Sequence, residues 1–108
     1  MDHMHAVDAL SALAQPTRLA AFRSLVEAGP AGLAVGELRE RLDVPAATLS
    51  AHLNILRNAG LVADERVGRV IRVRAGFGQM NALLAYLTEN CCAGAACTPD
   101  LGTDCRSC

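Results

Sequence analysis

The 108-residue sequence contains no lysine and no tryptophan, and its only aromatic residues are Phe22, Phe77 and Tyr86. A core built from this chain must therefore be aliphatic. No apolar run approaches the roughly 20 residues that cross a bilayer. The first five residues lack the basic start and the apolar stretch of a secretion signal. These absences predict a cytoplasmic protein without a membrane partner.

The charge balance excludes a strongly basic protein. All ten basic residues are arginines, and eleven acidic residues bring the net charge to −1. Any binding of nucleic acid must therefore come from a local basic patch. Hydrophobic residues make up 52% of the chain and charged residues 19%, which is typical of a folded domain rather than a disordered chain. The length predicts one domain, and pairing with a second copy would help so small a core.

The motifs of common enzymes are also missing. The sequence has no glycine-rich phosphate loop, no His-Glu metal motif, and no serine or cysteine beside a plausible base. We therefore expect that the chain is not an enzyme.

The spacing of apolar residues predicts five helices and a hairpin of two strands. The helices are expected at residues 4–14, 16–28, 35–42, 45–58 and 79–90, the strands at 61–67 and 69–74, and an apolar linker at 31–34. The apolar stripes are Met4, Val7, Leu10 and Leu13; Leu19, Phe22, Leu25 and Val26; Leu49, Leu53 and Leu56; Ile71 and Val73; and Met80, Leu83, Leu84 and Leu87.

The order of these elements predicts a mainly α-helical fold with a β-hairpin, a winged helix–turn–helix of five helices and a two-stranded wing. Only residues 43–45 separate two short helices, and the hairpin follows at once. In this arrangement the second helix enters the DNA major groove and the hairpin contacts the flanking backbone. The predicted domain covers residues 1–92, and residues 93–108 form a cysteine-containing tail. A protein-interaction module that never binds DNA is the alternative.

The candidate DNA-binding residues lie on the helix at 45–58 and on the wing. With the leucines inward, the small or amide-bearing side chains Ala47, Ala51, Asn54 and Asn58 point farthest outward. Asparagine can bond adenine, and an alanine methyl can contact thymine. Thr48, Ser50 and His52 flank this face, Arg57 is better placed for a phosphate, and the wing adds Arg66, Arg69, Arg72 and Arg74 against Asp64 and Glu65.

Three blocks of sequence resemble the ArsR/SmtB family of metal-responsive repressors. They are Leu13-Ala14-Gln15-Pro16-Thr17-Arg18-Leu19, Thr48-Leu49-Ser50-Ala51-His52-Leu53 and Leu56-Arg57-Asn58-Ala59-Gly60-Leu61-Val62. The resemblance, which extends over residues 6–92, implies a homodimer paired through its first and last helices that blocks transcription until an inducer binds. It assigns base contacts to Ser50, His52 and Thr48. The chain departs from the family pattern at Ala46, Ala47 and Ala51. A dimer of this kind predicts an operator DNA that is an imperfect inverted repeat.

All five cysteines lie in the last 18 residues. In a cytoplasmic protein they are expected to be reduced. Four small residues separate Cys92 from Cys97, so the thiolates of Cys91, Cys92 and Cys97 can converge in one loop. Three sulfurs without a nearby histidine or aspartate suit As(III) or Sb(III), whereas zinc and cadmium favour a fourth ligand, which Cys105 or Cys108 could supply.

The resemblance narrows this choice to the arsenic repressors whose site lies at the end of the last helix. It implies As(III), or Sb(III), as inducer and no organic cofactor. The third ligand is expected to be Cys97, with Cys105 or Cys108 as alternatives, and two thiols suffice for methylated arsenicals. A cadmium or zinc sensor and a thiol switch responding to oxidation or persulfide remain alternative hypotheses.

Overall fold

The computed structural model describes residues 1–94 of the chain, and it has the predicted number and order of helices. Two short 3-10 turns, Gly29–Ala31 and Cys91–Gly94, accompany the regular elements. The helices and strands, in chain order, are α1 His3–Leu13, α2 Pro16–Ala28, β1 Leu33–Ala34, α3 Val35–Leu42, α4 Ala46–Asn58, β2 Val62–Val67, β3 Val70–Ala75 and α5 Phe77–Leu87.

Local caps explain where the helices begin. The Asp2 side chain accepts a hydrogen bond from the His5 amide at 2.8 Å, which also holds the pKa of that carboxyl below its ordinary value. The Gln15 side chain caps α2 in the same way at Arg18, and Pro16 stands at its first turn, where a missing N–H costs nothing. At α3, the Glu37 carboxylate accepts from the Ala34 amide at 2.9 Å.

The sheet has three strands in the order β1-β3-β2, all antiparallel. The predicted wing is confirmed: Val67 pairs with Val70 around Gly68, whose φ of +62° suits a tight turn. The prediction of a plain linker at 31–34 is wrong, because Leu33 and Ala34 pair with β3. A two-residue strand is too short to show the alternation by which strands are recognised in a sequence.

The core is aliphatic, as the sequence predicts, and Phe22 is its only buried aromatic residue among those described. Helix α1 nevertheless buries Ala6, Ala9 and Ala12 and leaves Met4, Val7 and Leu10 exposed, whereas its last residue, Leu13, packs half-buried against the core. Small alanines allow close helix packing, so the stripe that looked like a core stripe is not buried within the protomer. The exposed large residues of the helices include Met4, Val7, Leu10, Leu19, Leu84 and Leu87.

Helix α5 begins and ends earlier than predicted, at Phe77 and Leu87. The Thr88 hydroxyl donates to the Leu84 carbonyl at 2.9 Å, and Asn90 adopts a left-handed φ of +56°, so the helix cannot continue to Cys91. The predicted end of this helix at residue 90, next to Cys91, is therefore wrong. No helix within residues 1–94 is long and apolar enough to cross a membrane.

Candidate nucleic-acid interface

Helix α4 presents the polar face that the sequence predicts. Leu49, Leu53 and Leu56 are almost completely buried, which fixes the rotation of the helix against the core. The exposed positions on its polar face include Ala47, Thr48, Ser50, Ala51 and Asn54. This face is free of large side chains along its first two turns, so another molecule can approach its backbone closely.

Asn58 lies apart from this group, although it was predicted to belong to it. One turn beyond Asn54, it lines a groove beside α1 together with Asp8 and Ser11. Asn54 instead lines a cleft of about 400 Å³ between α4 and the wing, with Ser50 on the same wall. The structure therefore favours Asn54 over Asn58 as a contact residue.

The wing supplies exposed positive charge at its far end. Arg66 pairs with Ile71 across the hairpin, and Arg69 follows the turn and lines the cleft between α4 and the wing. Within residues 1–94 neither guanidinium has an ion pair or a hydrogen bond to the protein. Ile71 is 39% exposed while Val73 is buried, because the hairpin extends beyond the core.

Arg72 and Arg74 have protein partners. Arg72 donates to the carbonyl oxygens of Ala31 and Gly32, both at 3.1 Å, and lies 3.9 Å from the Glu37 carboxylate. Arg74 pairs with Glu65 at 3.0 Å. Arg72 therefore fastens the wing to the loop before β1, a role that spacing along the sequence does not reveal.

Arg57, predicted to contact phosphate, joins the two walls of the cleft instead. Its Nη2 lies 2.9 Å from a carboxylate oxygen of Asp64 on β2, and its Nη1 donates to the Asn54 side-chain oxygen. The sequence predicts no role for Asp64 beyond a negative charge that offsets the wing arginines. The structure makes it the partner that holds Arg57 against the hairpin.

His52 is half-buried, whereas Ser50 and Ala51 before it are exposed. Arg18 donates to its Nδ1 at 3.3 Å and also to the carbonyl oxygen of Ala12 at 2.6 Å. The pair connects α4 to the end of α1 through α2. Arg18 had no assigned role in the sequence beyond the resemblance, because its partner lies 34 residues away.

The cysteine segment follows α5 as a tight turn. Cys91 is exposed, its amide donates to the Thr88 carbonyl at 3.1 Å, and Cys92 and Ala93 have positive φ angles. The expectation that the thiols are reduced stays a prediction. Residues 1–94 contain no group of three metal-ligating side chains. The other predicted ligands, Cys97, Cys105 and Cys108, lie outside the described residues, as does most of the predicted tail.

Five helices and a hairpin that directly follows a helix–turn–helix define a winged helix–turn–helix protein. The helix–turn–helix domain family matches residues 13–65. The repressor SmtB of Mycobacterium tuberculosis is 43% identical over 65 residues, which are 60% of this chain and 46% of that protein. The biofilm growth-associated repressor of Agrobacterium fabrum is 34% identical over 84 residues, 78% of this chain and 69% of that protein.

The solved structure of an ArsR-like transcriptional regulator from Rhodococcus superposes with a TM-score of 0.70 at 32% identity, covering 79% of this chain and 77% of that one. The chain belongs to the ArsR/SmtB family of winged-helix transcriptional regulators. It spans less than half the length of the SmtB repressor that it matches. These relatives are transcriptional regulators rather than enzymes, in agreement with the expectation from the sequence.

Proposed function

We propose that this chain is a transcriptional repressor that binds an operator in double-stranded DNA as a homodimer. The observation on which this rests is the pairing of the exposed, small-residue face of α4 with a wing whose Arg66 and Arg69 have no protein partner within the described residues. Ser50, Thr48 and Asn54 would contact base edges, and the two arginines would contact phosphates.

The apolar residues that α1 and α5 leave exposed support the dimer. Met4, Val7 and Leu10 on α1 and Leu84 and Leu87 on α5 are each at least 42% exposed. The two helices adjoin, since Tyr86 is hydrogen-bonded to His3 at 3.1 Å. Large apolar side chains left exposed on two adjoining helices are typical of a protein–protein contact. Pairing through it would place two copies of α4 about one turn of DNA apart, roughly 34 Å, on an imperfect inverted repeat.

Residues 1–92 would form this DNA-binding and dimerisation domain, with the cysteine-containing residues 93–108 as its tail. The proposed inducer is As(III) or Sb(III), held by Cys91, Cys92 and Cys97. Thiolates are the soft ligands that such ions prefer. The described residues fit this in part, because Cys91 and Cys92 are adjacent in a tight turn that begins four residues beyond the end of α5, the helix that bears the exposed apolar residues. The cysteines lose their protons on binding.

Binding at the cysteines would change the dimer contacts of α5 through the turn at residues 88–91. This turn joins the cysteines to α5 through the Cys91 amide and the Thr88 carbonyl rather than through a continuous helix. Linkage requires that DNA weaken binding of the inducer by the same factor by which the inducer weakens binding of DNA.

The exposure of Cys91 in the turn after α5 favours a second candidate, a repressor that responds to thiol oxidation. A disulfide would change the same turn after α5 without a metalloid. Sensing of persulfide, or of cadmium or zinc with Cys105 or Cys108 as a further ligand, belongs to the same set of thiol-based hypotheses.

A gel-shift titration of the reduced protein on DNA from its own upstream region separates these candidates. Arsenite, antimonite, cadmium, zinc and a thiol oxidant are added in parallel. The arsenic hypothesis expects release by arsenite, and loss of that release in Cys91→Ser, Cys92→Ser and Cys97→Ser with DNA affinity unchanged. Cys105→Ser and Cys108→Ser are the matched controls and should respond normally.

Other outcomes decide against parts of the proposal. Normal release by arsenite in both Cys91→Ser and Cys92→Ser would contradict the metalloid site. Release on oxidation combined with indifference to arsenite would favour the redox switch. Failure to shift any DNA under these conditions would favour the protein-interaction module instead.

A further inference from the structure

Three side chains form a connected network across the cleft between the recognition helix and the wing. Arg57 lies between Asn54, one turn earlier on α4, and Asp64 on β2. The two oxygens of Asp64 lie 2.9 and 3.0 Å from Nη2 of Arg57. Asp64 faces α4 because its partner across the hairpin, Val73, is buried on that side of the sheet.

This network fixes the orientation of the Asn54 amide. A guanidinium group has only donors, so it is the oxygen of the Asn54 side chain, not the nitrogen, that must face Arg57. The two N–H donors of that amide then remain for an incoming molecule. Asn54 is exposed and stands on the wall of the cleft beside Ser50, where a base edge would lie.

The fixed amide has a consequence for base recognition. An asparagine that recognises adenine must donate to N7 and accept from N6 at the same time. Arg57 occupies one of the two lone pairs of the Asn54 oxygen and competes there with the N6 donor of adenine, whereas both N–H donors have no protein partner within the described residues. Those donors match the adjacent acceptors O6 and N7 of guanine. Resting on the DNA-binding function proposed above, we propose that Asn54 recognises guanine rather than adenine, and that Arg57 and Asp64 are the positioning residues that determine this specificity.

Two features argue that the network serves more than stability. Nε of Arg57 is buried without a hydrogen-bond partner within the described residues, and such a group costs free energy. Asp64 also places a negative charge in the cleft that DNA would occupy, which opposes binding of phosphates. Its position is explained if its task is to hold Arg57 against Asn54.

The test is selection of DNA sequences from a library of duplexes with a randomised central segment, using the whole chain under reducing conditions. Asn54→Ala identifies the base pair that Asn54 contacts, because preference is lost there alone. In the wild type this position should be guanine. In Asp64→Asn the same position should tolerate adenine, with discrimination reduced by about fivefold, the low end of what one base contact provides.

Glu65→Gln is the matched control. It removes the same charge from the neighbouring position, but its partner Arg74 lies on the opposite face of the wing. It should raise affinity for all sequences and leave the selected base unchanged. Arg57→Met provides a second route to the same result, since it frees the Asn54 oxygen and leaves Asp64 in place.

The outcomes distinguish this inference from the function on which it rests. If the wild type selects no sequence at all, the proposed DNA-binding function fails, and the inference with it. If it selects a sequence but the base contacted by Asn54 is adenine, only the inference is overturned. The same holds if Asp64→Asn and Arg57→Met keep the preference of the wild type at that position.

Discussion

A Cβ atom placed on Gly32 would lie 2.1 Å from the carbonyl oxygen of Val73. The loop before β1 therefore touches the backbone of β3, and Gly32 also has a φ of +67°. This contact holds the base of the wing against the helical core. Arg72 strengthens it by donating a hydrogen bond to the carbonyl oxygen of the same glycine.

Gly32→Ala should lower the free energy of unfolding by about 3 kcal/mol or more, since it adds backbone strain to a clash with a strand. Denaturation with urea measures this loss. Gly36→Ala is the control, because a Cβ there meets nothing within 4 Å and the residue lies in the first turn of α3. It should stabilise the protein by about 0.4–1 kcal/mol, since alanine has fewer conformations than glycine in the unfolded chain. Equal stability of the two variants would contradict the contact.

The wing arginines should separate into two kinds. Arg69→Ala should weaken binding to all DNA sequences and reduce the salt dependence of binding by about one unit of slope, because one phosphate contact is lost. Its stability should not change. Arg72→Ala removes hydrogen bonds to two carbonyl oxygens and should lower the free energy of unfolding by about 1–2 kcal/mol.

Binding isotherms at several salt concentrations, together with thermal denaturation, check both variants. An unchanged salt slope in Arg69→Ala would remove the wing tip from the DNA contacts. Full stability of Arg72→Ala would show that its hydrogen bonds do not support the wing.

Ser50 and His52 both correspond to base-contacting positions in the resemblance, but their surroundings differ. Ser50→Ala should weaken DNA binding by about 1 kcal/mol, close to fivefold, without affecting stability. His52→Ala should lower the free energy of unfolding by about 1 kcal/mol, because it removes the partner of Arg18. DNA affinity and the free energy of unfolding are both measured for each variant. If His52→Ala is as stable as the wild type but no longer binds DNA, His52 contacts DNA, as the resemblance implies, and does not act through Arg18.

Local signals in the sequence were sufficient for the helix–turn–helix itself. The break at residues 43–45 and the glycine after α4 mark the ends of α3 and α4 within a residue. Each signal acts through the backbone of a few neighbouring residues. The fold class and the rotation of α4 could therefore be predicted.

The contacts that define the candidate site could not be predicted in this way. Arg72 reaches the carbonyl of Gly32 across 40 residues of sequence, and Arg18 reaches His52 across 34. A charged residue in a strand has the same pattern whether it faces DNA or a carbonyl oxygen of its own chain. The choice is made by tertiary packing, which periodicity does not contain.

The apolar stripe on α1 could not be assigned to the core or to a dimer contact from its spacing alone. A helix that packs against a second copy has the same apolar spacing as one that packs against its own core. In α1 the alanines face the protomer, while Val7 and its large neighbours remain exposed.

Leu84→Asp should raise the dissociation constant of the dimer by at least about tenfold, because the interface would bury an unpaired charge. Leu84 is 43% exposed in the protomer, so the variant should still fold. Val67→Asp is the matched control, since Val67 is 52% exposed at the wing tip and belongs to neither α1 nor α5. Sedimentation velocity should find monomers for the first variant and dimers for the second. Intact dimers of Leu84→Asp would place the pairing surface elsewhere on the protein.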